Sequence, residues 1–180
     1  MRKLSPAKIM TLGAMCTALS VLSLYASCVL PTAKLAFYFL SSVFIYMLAD
    51  EEAYVGALVS FAASLLLGFV ILPDKAYLFP YAALLGHYGI FKTWLSRRTG
   101  DKVLQFFLRM LYCNLFAGAG VCAAVFLFSY DLKTFAGQLP LPVWLLVPIL
   151  EAAFVLFDAL YWVCQKFYDE RIKAYLIPRR

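Results

Sequence analysis

Residues 35–72 read LAFYFLSSVFIYMLADEEAYVGALVSFAASLLLGFVIL, two apolar runs parted only by Asp50, Glu51 and Glu52. A helix that crosses a bilayer needs about 20 mostly apolar residues. The second run meets that length and the first approaches it, so the acidic break between them marks a tight helical hairpin. Working outward from this hairpin, the same alternation fills the chain. Spans are expected at about 9–30, 35–49, 53–72, 77–95, 103–129 and 141–166. The 180 residues are 64% apolar, with a mean hydropathy of +0.83, far above the usual composition of a soluble domain. The loops left over are too short for a soluble catalytic or nucleotide-binding domain. The expected fold class is therefore an all-α membrane protein, a single compact bundle of six transmembrane helices forming one domain. Pro31, Pro73, Pro140 and Pro142 fall at span ends, where a missing N–H costs least. Pro80 and Pro148 fall in the first turns of the fourth and sixth spans, where they are expected to kink them.

Orientation follows from Lys and Arg in the short loops. Arg2, Lys3 and Lys8 precede the first span, Lys92, Arg97, Arg98 and Lys102 surround the end of the fourth, and Lys166, Arg171, Lys173, Arg179 and Arg180 close the chain. The opposite side carries Lys34, Lys75 and Lys133. Both termini are expected in the cytoplasm of a bacterial cell, in a multi-pass plasma-membrane protein. The net charge of +6 is explained by basic loops beside anionic headgroups, and no nucleic-acid partner is implied. Arg2 and Lys3 ahead of an apolar run also have the look of a secretory signal. The run is longer than a signal's 7–15 residues, and it is expected to stay as the first span.

Three groups of residues stand out against this apolar background. The first is small. Gly56, Ser60, Ser64 and Gly68 recur every fourth residue on one face of the third span, and Ala14 and Ala18 form an Ala-x-x-x-Ala in the first, beside Gly13 and Thr17. Ala82 and Gly86 continue the theme in the fourth. Such residues let helices approach closely in lipid, and ordinary packing is the plain reading for the third span. The five cysteines, Cys16, Cys28, Cys113, Cys122 and Cys164, are scattered through the spans and read as small hydrophobes, with no metal site or cofactor expected.

The second group is polar at depth. Counting about 1.5 Å per residue, His87 and Glu151 lie about 15 Å from the outer surface and Asn114 about 18 Å from the inner one. Ionisable groups near the midplane are costly and face a partner or a wet cavity. For His87 and Glu151, a ligand-facing role and a satisfied helix-to-helix hydrogen bond both remain open. Arg109 and Asp158 enter to about 10 Å and 12 Å from the cytoplasmic side, and are expected to form a structural ion pair. The third group is aromatic. Many rings sit at interfaces, as belts of Trp and Tyr do. Phe37, Tyr38, Phe39, Tyr77, Phe79 and Tyr81 concentrate near the outer side, where converging rings suit a flat, partly apolar ligand.

No GxSxG, HExxH or Walker motif is present, and no span carries the polar run that lines an ion pore. Neither an enzyme nor a self-contained channel is expected. The basic lead-in, Ala14-x-x-x-Ala18 in the first of six spans, and cytoplasmic termini together resemble the substrate-binding S-components of energy-coupling factor (ECF) transporters. The stretches from Lys34 to Ser42 and from Pro80 to Gly89 are similar to small integral membrane proteins of Firmicutes placed near that group. The resemblance implies that Ala14 and Ala18 contact a transmembrane coupling subunit, which works with two ATPases. It implies a vitamin-like small molecule bound from outside, in a pocket that includes Lys34, Tyr38, Tyr81, His87, Asn114 and Glu151. A different class is also open: a non-catalytic membrane scaffold for cell-envelope or cell-shape machinery, with the polar residues serving as internal glue.

Overall fold

The computed structural model describes residues 5–128, 143–168 and 170, and the secondary structure among them is helical throughout. The helices are α1 (Pro6–Val29), α2 (Lys34–Asp50), α3 (Tyr54–Ile71), α4 (Gly86–Arg98), α5 (Lys102–Phe128) and α6 (Val143–Phe167). Between them lie 3-10 turns at Pro31–Ala33 and Lys75–Leu78, and a π-helical turn at Tyr81–Leu85. The expectations placed on Arg2, Lys3, Lys133, Pro140, Pro142 and the tail from Arg171 to Arg180 lie outside the described residues.

Local chemistry sets the helix ends. Pro6 opens α1, where its fixed φ suits the first turn and its missing N–H would have had no helical acceptor. Leu30 and Leu72 end α1 and α3 in extended backbone. Each precedes a proline, whose ring crowds the helical conformation of the residue before it. At the other end, α2 turns into α3 through Glu52, which takes a φ of 62° while its N–H donates to the Ala49 carbonyl at 3.1 Å. This left-handed turn lets α3 begin at Tyr54.

Among the described residues, four helices are long and apolar enough to cross a membrane: Pro6–Val29, Tyr54–Ile71, Lys102–Ala123 of α5 and Pro148–Phe167 of α6. The other two expected spans differ. With 17 residues, α2 is about 26 Å long, short of the roughly 30 Å hydrocarbon layer. The fourth span is not one α-helix. From Lys75 to Arg98 the chain passes from a 3-10 turn through the π-turn into α4, and only the last 13 residues are regular helix. Pro80 supplies no N–H at the start of the π-turn, so the ladder there cannot run unbroken. Pro148 lies inside α6.

The chain divides within α5 into two units, one ending at Ala117 and one beginning at Gly118. In the first, α2 packs against α1, α3 and α4, and α3 packs against α1 and α4. α1 and α3 run in the same direction. A Cβ on Gly56 would lie 3.0 Å from Ile9 Cγ2, and one on Gly13 would lie 3.1 Å from Ser60 Oγ. Two apolar clusters result. One gathers Ile45, Leu48, Ala57 and Ile90, the other Leu24, Tyr38, Leu72 and Tyr81, and Phe61 packs against both. In the second unit, Phe154, Tyr161 and Tyr168 are buried, with the Phe157 and Tyr161 rings 5.1 Å apart.

The burial pattern of the first unit is inverted relative to that of a protein in water. On α3, Ser60, Ser64 and Gly68 are buried while Val55, Leu66 and Val70 are exposed, Val55 at 77% and Ser64 at 0%. On α1, Thr17, Ser20, Ser23 and Ser27 are buried while Met10, Leu22 and Val29 are exposed. Polar side chains turn inward to find partners and apolar ones face out. That arrangement is stable where the surroundings are hydrocarbon.

Candidate functional site

The polar residues of the first unit collect at two ends joined by a row of rings. One end holds the 3-10 turns. Lys34, the first residue of α2, donates from Nζ to the Tyr77 hydroxyl at 2.8 Å, and its ammonium lies 4.9 Å from the centroid of the same ring. The Tyr38 hydroxyl donates to the Tyr77 carbonyl at 2.6 Å. Asp74 Oδ1 accepts from the Ala76 N–H at 2.9 Å and starts the turn that carries Tyr77. Two segments distant in sequence, the start of α2 and the Lys75–Leu78 turn, are thus tied together through one tyrosine.

Deeper in, Tyr81 is fully buried and its hydroxyl lies 2.8 Å from Ser64 Oγ. Ser64 gives its single proton to the Phe61 carbonyl at 2.7 Å, so Tyr81 is the donor of that pair. Ser20 donates to the Ser41 carbonyl at 2.9 Å, and Ser42 donates to the Leu85 carbonyl inside the π-turn. Gly86 follows this turn and is the tightest crossing point in the unit. A Cβ there would run into Phe61 Cε2 and sit 2.9 Å from Tyr81 Cζ, so any side chain at this position must displace those rings.

Rings continue from this crossing toward α5. Phe61 lies 5.7 Å from both Tyr81 and His87, and His87 lies 4.5 Å from Phe116. Tyr112 stacks on Phe91 at 3.8 Å. Both nitrogens of His87 face protein atoms. Nε2 donates to the Ala83 carbonyl at 3.1 Å, and Nδ1 is 2.7 Å from the Tyr112 hydroxyl. A carbonyl only accepts, so Nε2 carries the hydrogen, and in the neutral ring Nδ1 accepts from Tyr112. His87 thereby satisfies a carbonyl of the π-turn, where the shift to i+5 bonding (Gly86 N–H to Tyr81 carbonyl) takes amides from their usual acceptors.

The opposite end is charged. Arg97 Nη1 lies 2.8 Å from Glu52 Oε1. Its Nη2 donates to the Asp50 carbonyl and lies 3.9 Å from the Asp50 carboxylate. α4 is therefore pinned to the α2–α3 turn.

A groove of about 860 Å³ runs along the outside of α1 and α3. Ala14 and Ala18 are exposed on its wall, opposite Val59 and Ala63, and Glu52 lies at one end beside Pro6. The small-residue face of α3 splits: Gly56 and Ser60 reach the groove, while Ser64 and Gly68 point into the unit.

The sequence-derived site residues fall in several places. Lys34, Tyr38 and Tyr81 gather around Tyr77 and Ser64. His87 joins them only through Phe61. Asn114, exposed on α5, donates to the Met110 carbonyl at 3.1 Å. Arg109 donates to Gln105 Oε1 at 2.7 Å. Glu151 and Asp158 are half-buried on α6 in the second unit, so the expected Arg109–Asp158 pair joins residues of different units. Phe61 and Tyr112 carried no signal in the sequence, since each is one of many rings within a span, and Ser64 was marked only as a small packing residue. Among the described residues, no group of His, Cys, Asp or Glu gathers as metal ligands would.

The described fold is thus an all-helical one with four helices of membrane-crossing length and an inverted interior. No protein-family model matches the sequence, no curated protein matches it, and no solved structure matches the fold.

Proposed function

We propose that this protein is the substrate-binding membrane subunit of a micronutrient uptake system. In this reading it crosses the bacterial plasma membrane six times with both termini in the cytoplasm. It binds a vitamin-like molecule without chemistry and works with a coupling subunit and two ATPases. The observation that carries the proposal is the open groove at Ala14 and Ala18. A lipid-facing groove walled by small side chains admits the backbone of another helix at close range, as the resemblance to ECF S-components requires of the first span. The end around Lys34, Tyr38 and Tyr77 is the candidate mouth. Its bonds are hydroxyl and ring contacts, which a ligand with ring and polar edges can replace one for one.

The scaffold reading has its own support. Tyr38, Tyr81 and His87 all have protein partners, as expected of internal glue. Affinity purification in mild detergent from the native host, with mass spectrometry of proteins and small molecules, separates the two. A coupling subunit with ATPases, or a retained vitamin-like molecule, is the expected result. Replacing Ala14→Trp together with Ala18→Trp should abolish the complex and leave ligand binding intact. Envelope-synthesis proteins with no ligand, or assembly that survives the double replacement, would sink the uptake proposal.

A further inference from the structure

Among the described residues that line the α1–α3 groove, Glu52 alone carries a charge. It stands where α2 turns into α3, and its side chain is 39% exposed although it already meets Arg97 at 2.8 Å. Arg97 has a second hold, on the carbonyl and carboxylate of Asp50, which is itself buried. If Glu52 leaves, Arg97 keeps an acceptor. If a helix fills the groove, however, the exposed part of the Glu52 carboxylate loses its solvent, and a half-paired carboxylate at a closed apolar contact is costly. A cation on the incoming helix removes that cost.

We infer that Glu52 is a transferable ion-pair acceptor. The occupant of the groove is a transmembrane helix with small side chains along its contact face and a Lys or Arg at the end nearest Glu52. On docking, that cation takes the Glu52 carboxylate from Arg97. One of the two contacts that pin α4 to the α2–α3 turn is released, so docking on α1 and α3 is felt by the helix that carries His87. The inference rests on the groove being the partner's seat.

The test uses the full chain in lipid nanodiscs and labelled synthetic helices of about 20 Ala and Leu residues, ending in Lys, Gln or Glu on the Glu52 side. Binding is read by fluorescence anisotropy. The Lys-ended helix should bind about fivefold more tightly than the Gln-ended one, the scale of a partly exposed ion pair, and the Glu-ended helix most weakly. Glu52→Gln should erase the preference while Asp50 still holds Arg97. Arg97→Gln should enlarge it by removing the competitor. Equal affinity of the Lys and Gln helices for the wild type, with Ala14→Trp still blocking both, overturns the ion-pair transfer and leaves the groove as a seat. A preference that survives Glu52→Gln also overturns it. Binding indifferent to Ala14→Trp overturns the groove reading as well.

Discussion

α1 and α3 present small residues on two sides, and the two sides have different fates. Inward, Ser20 donates to the Ser41 carbonyl at 2.9 Å, Ser64 meets Tyr81, and Gly68 lies against Leu78. Outward, Ala14, Ala18 and Ala63 wall an open groove. Small side chains therefore have no single meaning in a membrane helix. Turned toward neighbours they permit close packing and hydroxyl-to-carbonyl bonds, and turned away they leave room for a backbone from elsewhere. The difference lies in phase around the helix, not in composition.

The inward side should break first and most severely. Gly86→Ala forces a methyl into Phe61 and Tyr81, and overpacking of this kind costs about 1–3 kcal/mol. Unfolding by SDS titration from mild micelles should show that loss, with partial recovery when Phe61→Leu is added. A wild-type unfolding curve for Gly86→Ala alone would mean that the Phe61 and Tyr81 rings yield to the added methyl at no cost. Next in size is Ser64→Ala, which removes the acceptor of the buried Tyr81 hydroxyl and should cost about 1 kcal/mol. Combined with Tyr81→Phe, the losses should be less than additive, and strict additivity would show that the two hydroxyls do not cooperate. Smallest is the outward side. Ala14→Leu with Ala18→Leu should change stability by no more than about 0.5 kcal/mol, since both sites are exposed. A loss as large as that of Ser64→Ala would erase the contrast between the two sides.

Much of the helical layout was legible because apolar length is a strong signal and proline marks helix ends reliably. Leu30 and Leu72 end their helices where Pro31 and Pro73 say they should. Gly86 was recognisable as a close-packing residue. The phase of Ala14 and Ala18 was not read, although Thr17, Ser20, Ser23 and Ser27 recur on one face of α1 and mark its inward side. The π-turn was hidden for a different reason. Pro80 predicts a disturbance of the helix, but whether the ladder tightens or widens depends on side-chain donors such as Ser42 and His87 that reach the carbonyls of the turn. His87 itself was visible as an unusual residue at depth, while its partners Ala83 and Tyr112 depend on the turn and on α5, which sequence spacing does not fix.

The π-turn also bears on how this chain tolerates changes of length. A five-residue turn of i+5 bonds between Tyr81 and Gly86 holds one residue more than an α-helical turn would. Loss of a single codon within this stretch would let the ladder close as ordinary helix, with the flanking segments still facing their present neighbours. The same loss within α4 would rotate everything beyond it by about 100° and carry Arg97 away from Asp50 and Glu52. Genes for chains of this design should therefore differ in length at the π-turn more readily than along the helix that follows it.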